Sequence, residues 1–300
     1  MSIKFSILIP AYNEEKNIGL LLNSLIQQKI YKPFEMVEIT VIASGCTDNT
    51  ESIVREFCKK NEKIRLISTP ERLGKANAIN LFLKVCKEEL IVMISADVLP
   101  ADNYTINTLL QHLLDKEVGI VGGRPVPINP SSTLTNRISS LIWHIHHKIS
   151  LYNPPKVGEI VAFRNVVERI PQDTLADEER LSAIIQKKGY KAVYAEDAVV
   201  YNKAPEKISE LIEQRRRIFV GHLLIKKELG YTVPTLSLRR LLKVVIDEIA
   251  SNPLKVITII PLGLIEIFSR FLGFLSYVTK RHGPAWKVCE TTKKLSDESE

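Results

Sequence analysis

The chain has 300 residues, of which 45% are hydrophobic and 25% charged, which excludes a disordered or collagen-like protein. The four cysteines form no CxxC pair and no signal-like leader opens the sequence, so we expect a reducing, cytoplasmic setting. The formal net charge of +7 is concentrated between residues 203 and 243, where ten basic residues stand against four acidic ones. Because a very apolar segment follows, this excess favours an anionic membrane surface over nucleic acid as the partner.

The first hundred residues alternate short apolar runs with helical patterns. The expected strands are 5–9, 37–42, 64–67 and 90–94, and the expected helices begin after Asn13, after Asp48 or Thr50, and at Lys75. This alternation predicts a mostly parallel sheet with helices on both faces, whose ligands bind beyond the carboxyl ends of the strands. The turns at those ends are the candidate site: 10–14, 44–48, 73–75 and 95–100.

The pattern loosens after residue 123. The elements predicted there are a helix around 134–150, a strand near 159–163, a helix over 177–187 and strands at 191–194 and 199–201. Pro205 is expected to open the next helix, which carries most of the basic block. The HxHH run of His144, His146 and His147 matches no zinc signature, so these side chains are expected to be partly exposed and without a role.

The most apolar part of the chain covers residues 256–278. Its length suits one membrane span, but Pro261, Glu266 and Arg270 interrupt it, so an in-plane helix and a soluble packing helix are alternatives. Glu266 and Arg270 are four residues apart and can pair on one helical face. The expected organisation is a catalytic domain, basic amphipathic helices, an apolar membrane-associated segment and a polar tail, mobile from residue 291 onward: 1–203, 204–250, 251–282 and 283–300.

Two common phosphate-binding motifs are missing from the sequence, and the polar residues at the strand ends each allow more than one interpretation. No GxGxxG follows the first strand and no GxxxxGK[ST] occurs, so dinucleotide-binding and P-loop proteins lose their main signal. Asp97 follows the most buried strand, where a carboxylate could hold Mg²⁺ or Mn²⁺ together with substrate phosphates, or could be an ordinary turn residue. Tyr12 and Glu14 could meet a base or a ribose, whereas Asn13 is explained equally well as a helix cap.

Two further groups could take part in chemistry. Asp177, Glu178 and Glu179 open a helix, where acids are usually solvated, but one of them could be a general base if it faced the sheet-end cleft. Gln214 and Arg217 lie on one helical face, and Arg217 could hold a diphosphate through two parallel hydrogen bonds. The arginine triplet that ends there, residues 215–217, could also be a lipid-facing basic run, and we expect it to serve both purposes.

Taken together, these segments resemble the family 2 glycosyltransferases between about residues 5 and 227. The matching segments are Ile-Leu-Ile-Pro-Ala-Tyr-Asn-Glu at 7–14, Ser-Gly-Cys-Thr-Asp-Asn-Thr at 44–50, Leu-Gly-Lys-Ala-Asn-Ala-Ile-Asn at 73–80, Ser-Ala-Asp at 95–97, Ala-Phe-Arg at 162–164, Asp-Glu at 177–178 and Gln-Arg-Arg-Arg at 214–217. The resemblance implies a GT-A-type α/β fold, a mixed and mostly parallel sheet with helices on both faces. C-terminal amphipathic or membrane helices are added to it.

Carried over position by position, the resemblance implies two groups of site residues. Those expected at the donor are Pro10, Tyr12, Glu14, Ser44, Asp48, Lys75, Ser95 and Asp97, with Asp97 also the ligand of a divalent cation, Mg²⁺ or Mn²⁺. Those expected in catalysis are Asp177 or Glu178 as the base, and Gln214 and Arg217 beside the diphosphate and the acceptor.

Several positions depart from the family's pattern. Ser95 stands where the metal motif commonly begins with aspartate, so it contributes no charge. Ala43 and Ser44 stand where acids usually contact the base, so a uracil base is not implied. Ile218 stands where a tryptophan usually follows the glutamine-x-x-arginine motif.

The implied reaction is inverting transfer of a sugar from a nucleoside-diphosphate sugar to a hydroxyl or phosphate acceptor, at the cytoplasmic face of the membrane. A polyprenyl phosphate, a lipid-linked glycan or another saccharide would suit as acceptor. One alternative is a non-catalytic nucleotide-sugar-binding or scaffold protein of the same fold. Another is a sugar nucleotidyltransferase, which would need a glycine-rich basic loop where residues 10–14 stand.

Overall fold

The computed structural model describes residues 2–281, 283 and 289–295. Its centre is an eight-stranded mixed sheet in the order β3-β2-β1-β4-β7-β6-β8-β5. The strands are β1 (Ile3–Ala11), β2 (Phe34–Ser44), β3 (Ile64–Thr69), β4 (Leu90–Ile94), β5 (Val98–Pro100), β6 (Val118–Pro127), β7 (Ile160–Arg164) and β8 (Lys191–Asn202). The helices are α1 (Ile18–Ile26), α2 (Thr50–Lys60), α3 (Lys75–Val85), α4 (Thr105–Gln111), α5 (Leu134–Ser150), α6 (Asp177–Lys187), α7 (Ile208–Leu229), α8 (Leu238–Ser251) and α9 (Val256–Val278).

The first four strands are parallel and covered on both faces, as the alternating pattern predicts. Alternate residues of β1 serve the two faces, since Ile7 and Ile9 pack with α1 while Leu8 packs with α3. β4 is buried along its whole length, which explains its uninterrupted apolar sequence. β7 then inserts antiparallel between β4 and β6, so its amino end meets the carboxyl end of β4.

The structure corrects several local predictions. Asn13 does not cap a helix, because its backbone is left-handed, with φ of 52°, and α1 begins only at Ile18. Its side chain instead exchanges two hydrogen bonds with Thr47, of 3.0 and 2.8 Å, which ties the first two turns together. Pro205 precedes α7 by three residues, and its carbonyl accepts a hydrogen bond from the Ser139 hydroxyl of α5 at 2.9 Å.

The predicted strands at 191–194 and 199–201 are one strand, β8, which pairs with β6 along its length. A register shift between Gly122 and Arg124 of β6 carries the pairing past the exposed Glu196 and Asp197, whose polarity broke the sequence pattern. Residues 98–127, which the sequence pattern left largely unassigned, form β5, α4 and β6.

The C-terminal helices form a separate apolar cluster with α5. α7 lies along α9, and residues of α5, α7, α8 and α9 share one core: Ile138, Leu141, Ile145, Ile149, Leu211, Val244 and Leu262. Pro261 lies within α9 without ending it, and the predicted pair of Arg270 with Glu266 forms at 3.1 Å. Among the described residues, one helical stretch, Pro253–Val278, is long and apolar enough to cross a membrane by length and composition.

Part of the polar tail was expected to be mobile, and that prediction is wrong for residues 291–295. They pack against the first turn of the sheet, where Leu295 is 6% exposed. Residues 296–300 of the same prediction lie outside the described part of the chain.

The glycines of β6 are required by close approaches. A Cβ on Gly123 would lie 2.5 Å from Cγ2 of Ile160 and 2.7 Å from the carbonyl oxygen of Ala198. Since one of these neighbours is backbone of a paired strand, relaxation is limited.

Replacing Gly123 with alanine should therefore lower the free energy of unfolding by about 1–3 kcal/mol, as overpacked cores do. Urea denaturation measures this. Gly263→Ala is the matched control, because a Cβ there meets nothing within 4 Å. Equal midpoints for the two variants would show that β6 and β8 can separate without cost.

Candidate active site

A cavity of about 360 Å³ lies at the carboxyl ends of β1 and β4, bounded by α6 and α7. It is lined by nearly all of the site residues predicted from the sequence: Pro10, Tyr12, Glu14, Ser44, Lys75, Ser95, Asp97, Asp177, Glu178, Gln214 and Arg217. Residues separated by up to 207 positions in the chain therefore meet at one rim of the sheet, where ligands of such sheets bind.

Asp48 does not line this cavity. Its carboxylate accepts hydrogen bonds from the backbone N–H and hydroxyl of Thr50, at 3.0 and 2.6 Å, and from the N–H of Glu15 at 3.1 Å. It therefore caps the amino end of α2 and fixes the conformation of the neighbouring turn.

Glu14 lines the cavity beside the first turn, and it is almost fully buried. Its carboxylate accepts a hydrogen bond from Nδ2 of Asn17 at 2.9 Å and pairs with Lys293. Burial raises the pKa of Glu14 to about 7, and repulsion from Asp97 adds to this. The neighbouring Tyr12 ring is covered by the Arg72 guanidinium, 4.1 Å from the ring centroid.

Lys75 begins α3 and connects the two halves of the site. Its ammonium donates to Oε1 of Glu178 at 2.5 Å and to Oγ of Ser95 at 3.0 Å. Burial opposes the charged form of Lys75, but attraction to Glu178 and Asp177 outweighs it and raises the pKa of the ammonium. Burial also opposes ionisation of Glu178, and the same ion pair outweighs it, so the pKa of Glu178 is lowered.

Asp177 is in the opposite situation to its neighbour. Burial, assisted by repulsion from Glu178, raises the pKa of Asp177 to about 7 against the attraction of Lys75. Its Oδ1 is buried and has no hydrogen-bond partner among the described residues. The third acid of the run, Glu179, accepts the backbone N–H of Val157 at 3.1 Å and so anchors the loop before β7.

Asp97 lines the cavity. Its carboxylate accepts no hydrogen bond and makes no ion pair with any residue in the described part of the chain. The pKa of Glu159 is raised to about 7, mainly by burial and further by repulsion from Asp97 and Glu178. The described residues contain no group of three acids, histidines or cysteines that could hold a metal ion. One carboxylate fits a hard cation only if substrate phosphates supply further ligands.

α7 carries the basic side of the site. Gln214 and Arg217 line the cavity, and Gly221 lets the helix approach the residue before α6, since a Cβ there would lie 3.0 Å from Ala176. The interpretation of the arginine triplet as a lipid-facing run is wrong. Arg215 pairs with Glu266 of α9, and Arg216 donates to Oγ of Ser276 at 2.7 Å, so both are used in helix packing.

Sequence reasoning missed several residues that line the same cavity: Arg72, Trp143, His146, Lys156, Glu159, His222 and Lys293. His146, expected to be partly exposed, is buried and 6% accessible. Burial keeps the pKa values of His146 and His222 well below the ordinary range, so both imidazoles are neutral. No local pattern marks these residues, since α5 and the C-terminal segment reach the cavity only through tertiary packing.

The structure belongs to a known class of fold, that of the GT-A glycosyltransferases. The mannosyltransferase PcManGT from Pyrobaculum calidifontis, in complex with GDP-Man and Mn²⁺, superposes with a TM-score of 0.65 at 20% identity, covering 93% of this chain and 88% of that one. S. aureus TarS 1–349 in complex with UDP superposes with a TM-score of 0.51 at 21% identity, covering 73% and 65%.

The sequence comparison is more specific. The model of glycosyl transferase family 2 matches residues 6–166, and the chain belongs to this family of transferases. The poly-β-1,6-N-acetyl-D-glucosamine synthase of Staphylococcus epidermidis is 26% identical over 280 residues, covering 90% of this chain and 66% of that protein. The probable glycosyltransferase YdaM of Bacillus subtilis (strain 168) is 26% identical over 228 residues, covering 71% and 54%. The chain thus spans about half to two thirds of these relatives.

Asp177→Asn should remove a pH-dependent loss of stability. Between the ordinary carboxyl pKa of 3.8 and the raised value of about 7, folded Asp177 keeps a proton that the unfolded chain has released. The free energy of unfolding therefore falls as the pH rises through this window. The wild type should lose about 2 kcal/mol more than Asp177→Asn between pH 5 and pH 7, measured by urea denaturation at both pH values.

The exposed Asp173, in the connection before α6, provides the control. Asp173→Asn should follow the wild type at both pH values. Parallel curves for the wild type and Asp177→Asn would mean that the buried carboxyl titrates normally.

Proposed function

We propose that the protein transfers a sugar from a nucleoside-diphosphate sugar to an acceptor with inversion at the anomeric carbon. The observation that carries this proposal is the convergence of Asp97, Glu178 and Arg217 on one cavity at the rim of the sheet. An inverting displacement needs a base beside the acceptor and positive charge beside the departing diphosphate, and this cavity has both.

Glu178 is the acid we assign as the base. Its side chain is 15% exposed and it lines the cavity, whereas Oδ1 of Asp177 is sealed from solvent. The ion pair with Lys75 keeps Glu178 ionised, so it can accept a proton. The acceptor oxygen attacks the anomeric carbon, its proton passes to the Glu178 carboxylate, and the bond to the diphosphate oxygen breaks.

Lys75 connects proton transfer with departure of the diphosphate. When Glu178 takes up the proton, its attraction for the Lys75 ammonium weakens, and the ammonium can turn its charge towards the leaving group. Ser95, 3.0 Å from the ammonium on the side of β4, keeps it in the cavity during this change. Arg217 on α7 supplies a second, fixed positive charge for the diphosphate.

Asp97 would hold a divalent cation, Mg²⁺ or Mn²⁺, together with the donor's phosphates. Such an ion, when bound, neutralises charge that develops on the diphosphate. Two observations support the assignment: the carboxylate has no partner among the described residues, and the similar mannosyltransferase was solved with Mn²⁺.

We assign the donor to the class of nucleotide sugars and specify neither its base nor its sugar. Ser44, at the end of β2, donates its hydroxyl to the Glu71 carbonyl and accepts the N–H of Leu73, both at 3.1 Å. The hydroxyl is therefore occupied by the chain itself, and the base is read mainly by the first turn, with Pro10, Tyr12 and Glu14.

The acceptor is presented by a membrane, as a polyprenyl phosphate, a lipid-linked glycan or another membrane-held saccharide. Support comes from the cavity wall formed by α5 and α7, which is partly apolar at Ile142, Trp143 and Ile218. The same two helices pack against α8 and α9, which expose a large apolar surface. The active site and this surface therefore share their supporting helices.

α9 lies in the plane of the membrane rather than across it. Its contacts with α7 include the Glu266 pair with Arg215 and the hydrogen bond of Arg216 to Ser276, and within α9 Glu266 also pairs with Arg270. A spanning α9 would draw these charges into hydrocarbon, which is costly. We define the exposed face of α8 and α9 as the apolar surface: Leu238, Leu242, Ile246, Ile257, Ile260, Leu264, Ile267, Phe268, Phe271, Phe274 and Val278. Anionic lipid suits the nearby Arg239 and Lys243.

This arrangement supports the organisation proposed from the sequence, with a catalytic domain over 1–203, basic helices over 204–250, a membrane-associated segment over 251–282 and a polar tail over 283–300. We place the protein at the cytoplasmic face, where nucleotide sugars would reach the cavity directly.

Transfer is tested with a panel of nucleotide sugars, Mg²⁺ or Mn²⁺ and vesicles that contain polyprenyl phosphate or a lipid-linked glycan. Nucleoside diphosphate release and the glycosylated lipid are both measured. Glu178→Gln should lower kcat by about 10²–10⁴-fold, since it removes the proton acceptor without changing the side chain's size. Asp97→Asn should lower transfer and raise the Mn²⁺ concentration required.

Glu62→Gln is the control, because Glu62 is exposed and lies outside the cavity lining. Near-normal transfer by Glu178→Gln would overturn its role as base. Pyrophosphate formation would instead indicate a nucleotidyltransferase, and donor binding without turnover for any acceptor would indicate a scaffold.

Phe271→Glu should reduce binding to vesicles of anionic lipid at least tenfold in flotation, because it adds charge to the apolar surface. Leu20→Glu, which changes an exposed apolar residue of α1 outside the apolar surface, should not. Cysteines introduced at Lys255 and Lys280, at the two ends of α9, should both react with an impermeant thiol reagent outside the vesicles. Protection of one of them would establish a spanning helix.

A further inference from the structure

Residues 289–295, which we name the strap, return from the end of α9 to the donor end of the cavity. Cys289, Thr292 and Lys293 line the cavity beside the first turn. Neither the proton transfer nor the membrane contact described above uses these residues.

The strap is attached to the first turn by a buried side chain. Asn17 is inaccessible to solvent, its Nδ2 donates to the carbonyl of Lys293 at 3.1 Å, and its Oδ1 accepts the N–H of Leu295 at 3.0 Å. Leu295 is itself buried. A buried amide paired with the backbone of a distant segment would be left unsatisfied if that segment departed, so docking is favourable.

The other end of the strap is attached to α7. The backbone N–H of Glu206 donates to Oγ1 of Thr291 at 3.0 Å, and the Thr291 hydroxyl also bonds the Glu210 carboxylate. The strap thus bridges the turn that begins the donor site and the helix that carries Gln214 and Arg217.

Lys293 is the strap residue that reaches furthest into the site. Its ammonium donates to the carbonyl oxygen of Tyr12 at 2.7 Å and pairs with the Glu14 carboxylate, while its side chain is 20% exposed. Both partners belong to the turn assigned to the nucleotide. Without this ammonium, the buried Glu14 would face Asp97 with no cation bound to it, and the turn would lose its fixed shape.

We propose that Lys293 is a positioning residue for the donor, which holds the Tyr12 backbone and the Glu14 carboxylate in the geometry that receives a nucleoside diphosphate. The proposal rests on the proposed function of the cavity. The ammonium also adds positive charge at the end of the cavity that meets an anionic ligand. Lys293 contacts the turn and makes no contact with Lys75 or Arg217.

The test compares Lys293→Ala and Lys293→Arg with Lys294→Ala in the full chain. Lys294 is the next residue and makes no hydrogen bond or ion pair within the described ranges, so it is a matched control. UDP and GDP, each with Mn²⁺, are titrated calorimetrically. Lys293→Ala should weaken binding about tenfold and raise the donor KM similarly, with kcat changed less than threefold. Lys293→Arg should recover most of the affinity, and Lys294→Ala should match the wild type.

Unchanged or tighter binding by Lys293→Ala would overturn the proposal, and tighter binding would identify an inhibitory strap. A second measurement needs no nucleotide: amide hydrogen exchange in residues 12–18 should quicken in Lys293→Ala and not in Lys294→Ala. If this exchange is unchanged, the positioning role fails by itself. If the wild type binds neither nucleotide while the exchange responds as expected, the donor assignment of the cavity fails and the structural role of Lys293 stands.

Discussion

The balance of charge in one cavity is the constraint on which the rest of this structure depends. Six acids and six basic residues line it, and few of them are well hydrated. Burial alone would neutralise the acids, and it does raise the pKa values of Glu14, Asp177 and Glu159 to about 7. The Lys75 pair with Glu178 resists this effect and keeps one carboxylate of the cavity ionised, as the proposed proton acceptor has to be.

α7 shows how one helix serves two environments. Successive arginines of a helix point about 100° apart, so Arg217 can face the cavity while Arg215 and Arg216 bind α9. The apolar helix α9 is therefore attached, through two polar contacts, to the element that places Arg217 in the cavity.

The parts of the fold that depend on local pattern were predictable. β4 and the helices with regular apolar spacing were identified because burial imposes periods of two and of about 3.6 residues on the sequence. Asn13 was misread because a polar residue before a helical pattern is usually a cap, whereas here its side chain bridges two turns. β8 was divided in two because its polar residues lie at a register shift.

The site was predictable only in part, for a related reason. Residues at strand ends, such as Asp97, are indicated by the ends of the apolar runs that precede them. Glu159 enters the site because β7 is antiparallel, which no short motif reports, and Lys293 enters it from the far end of the chain. Asp48 was assigned to the donor from its motif alone, whereas its hydrogen bonds direct it to the start of α2.

The order of the strap and α9 along the chain has a consequence for biosynthesis. A ribosome completes the catalytic sheet first, then α9, and only afterwards residues 289–295. During that interval the nascent polypeptide already displays the apolar helix α9, while Glu14 has yet to meet its ammonium partner. The exposed apolar face of the C-terminal helices can thus form before the salt bridge that fixes the conformation of the first turn.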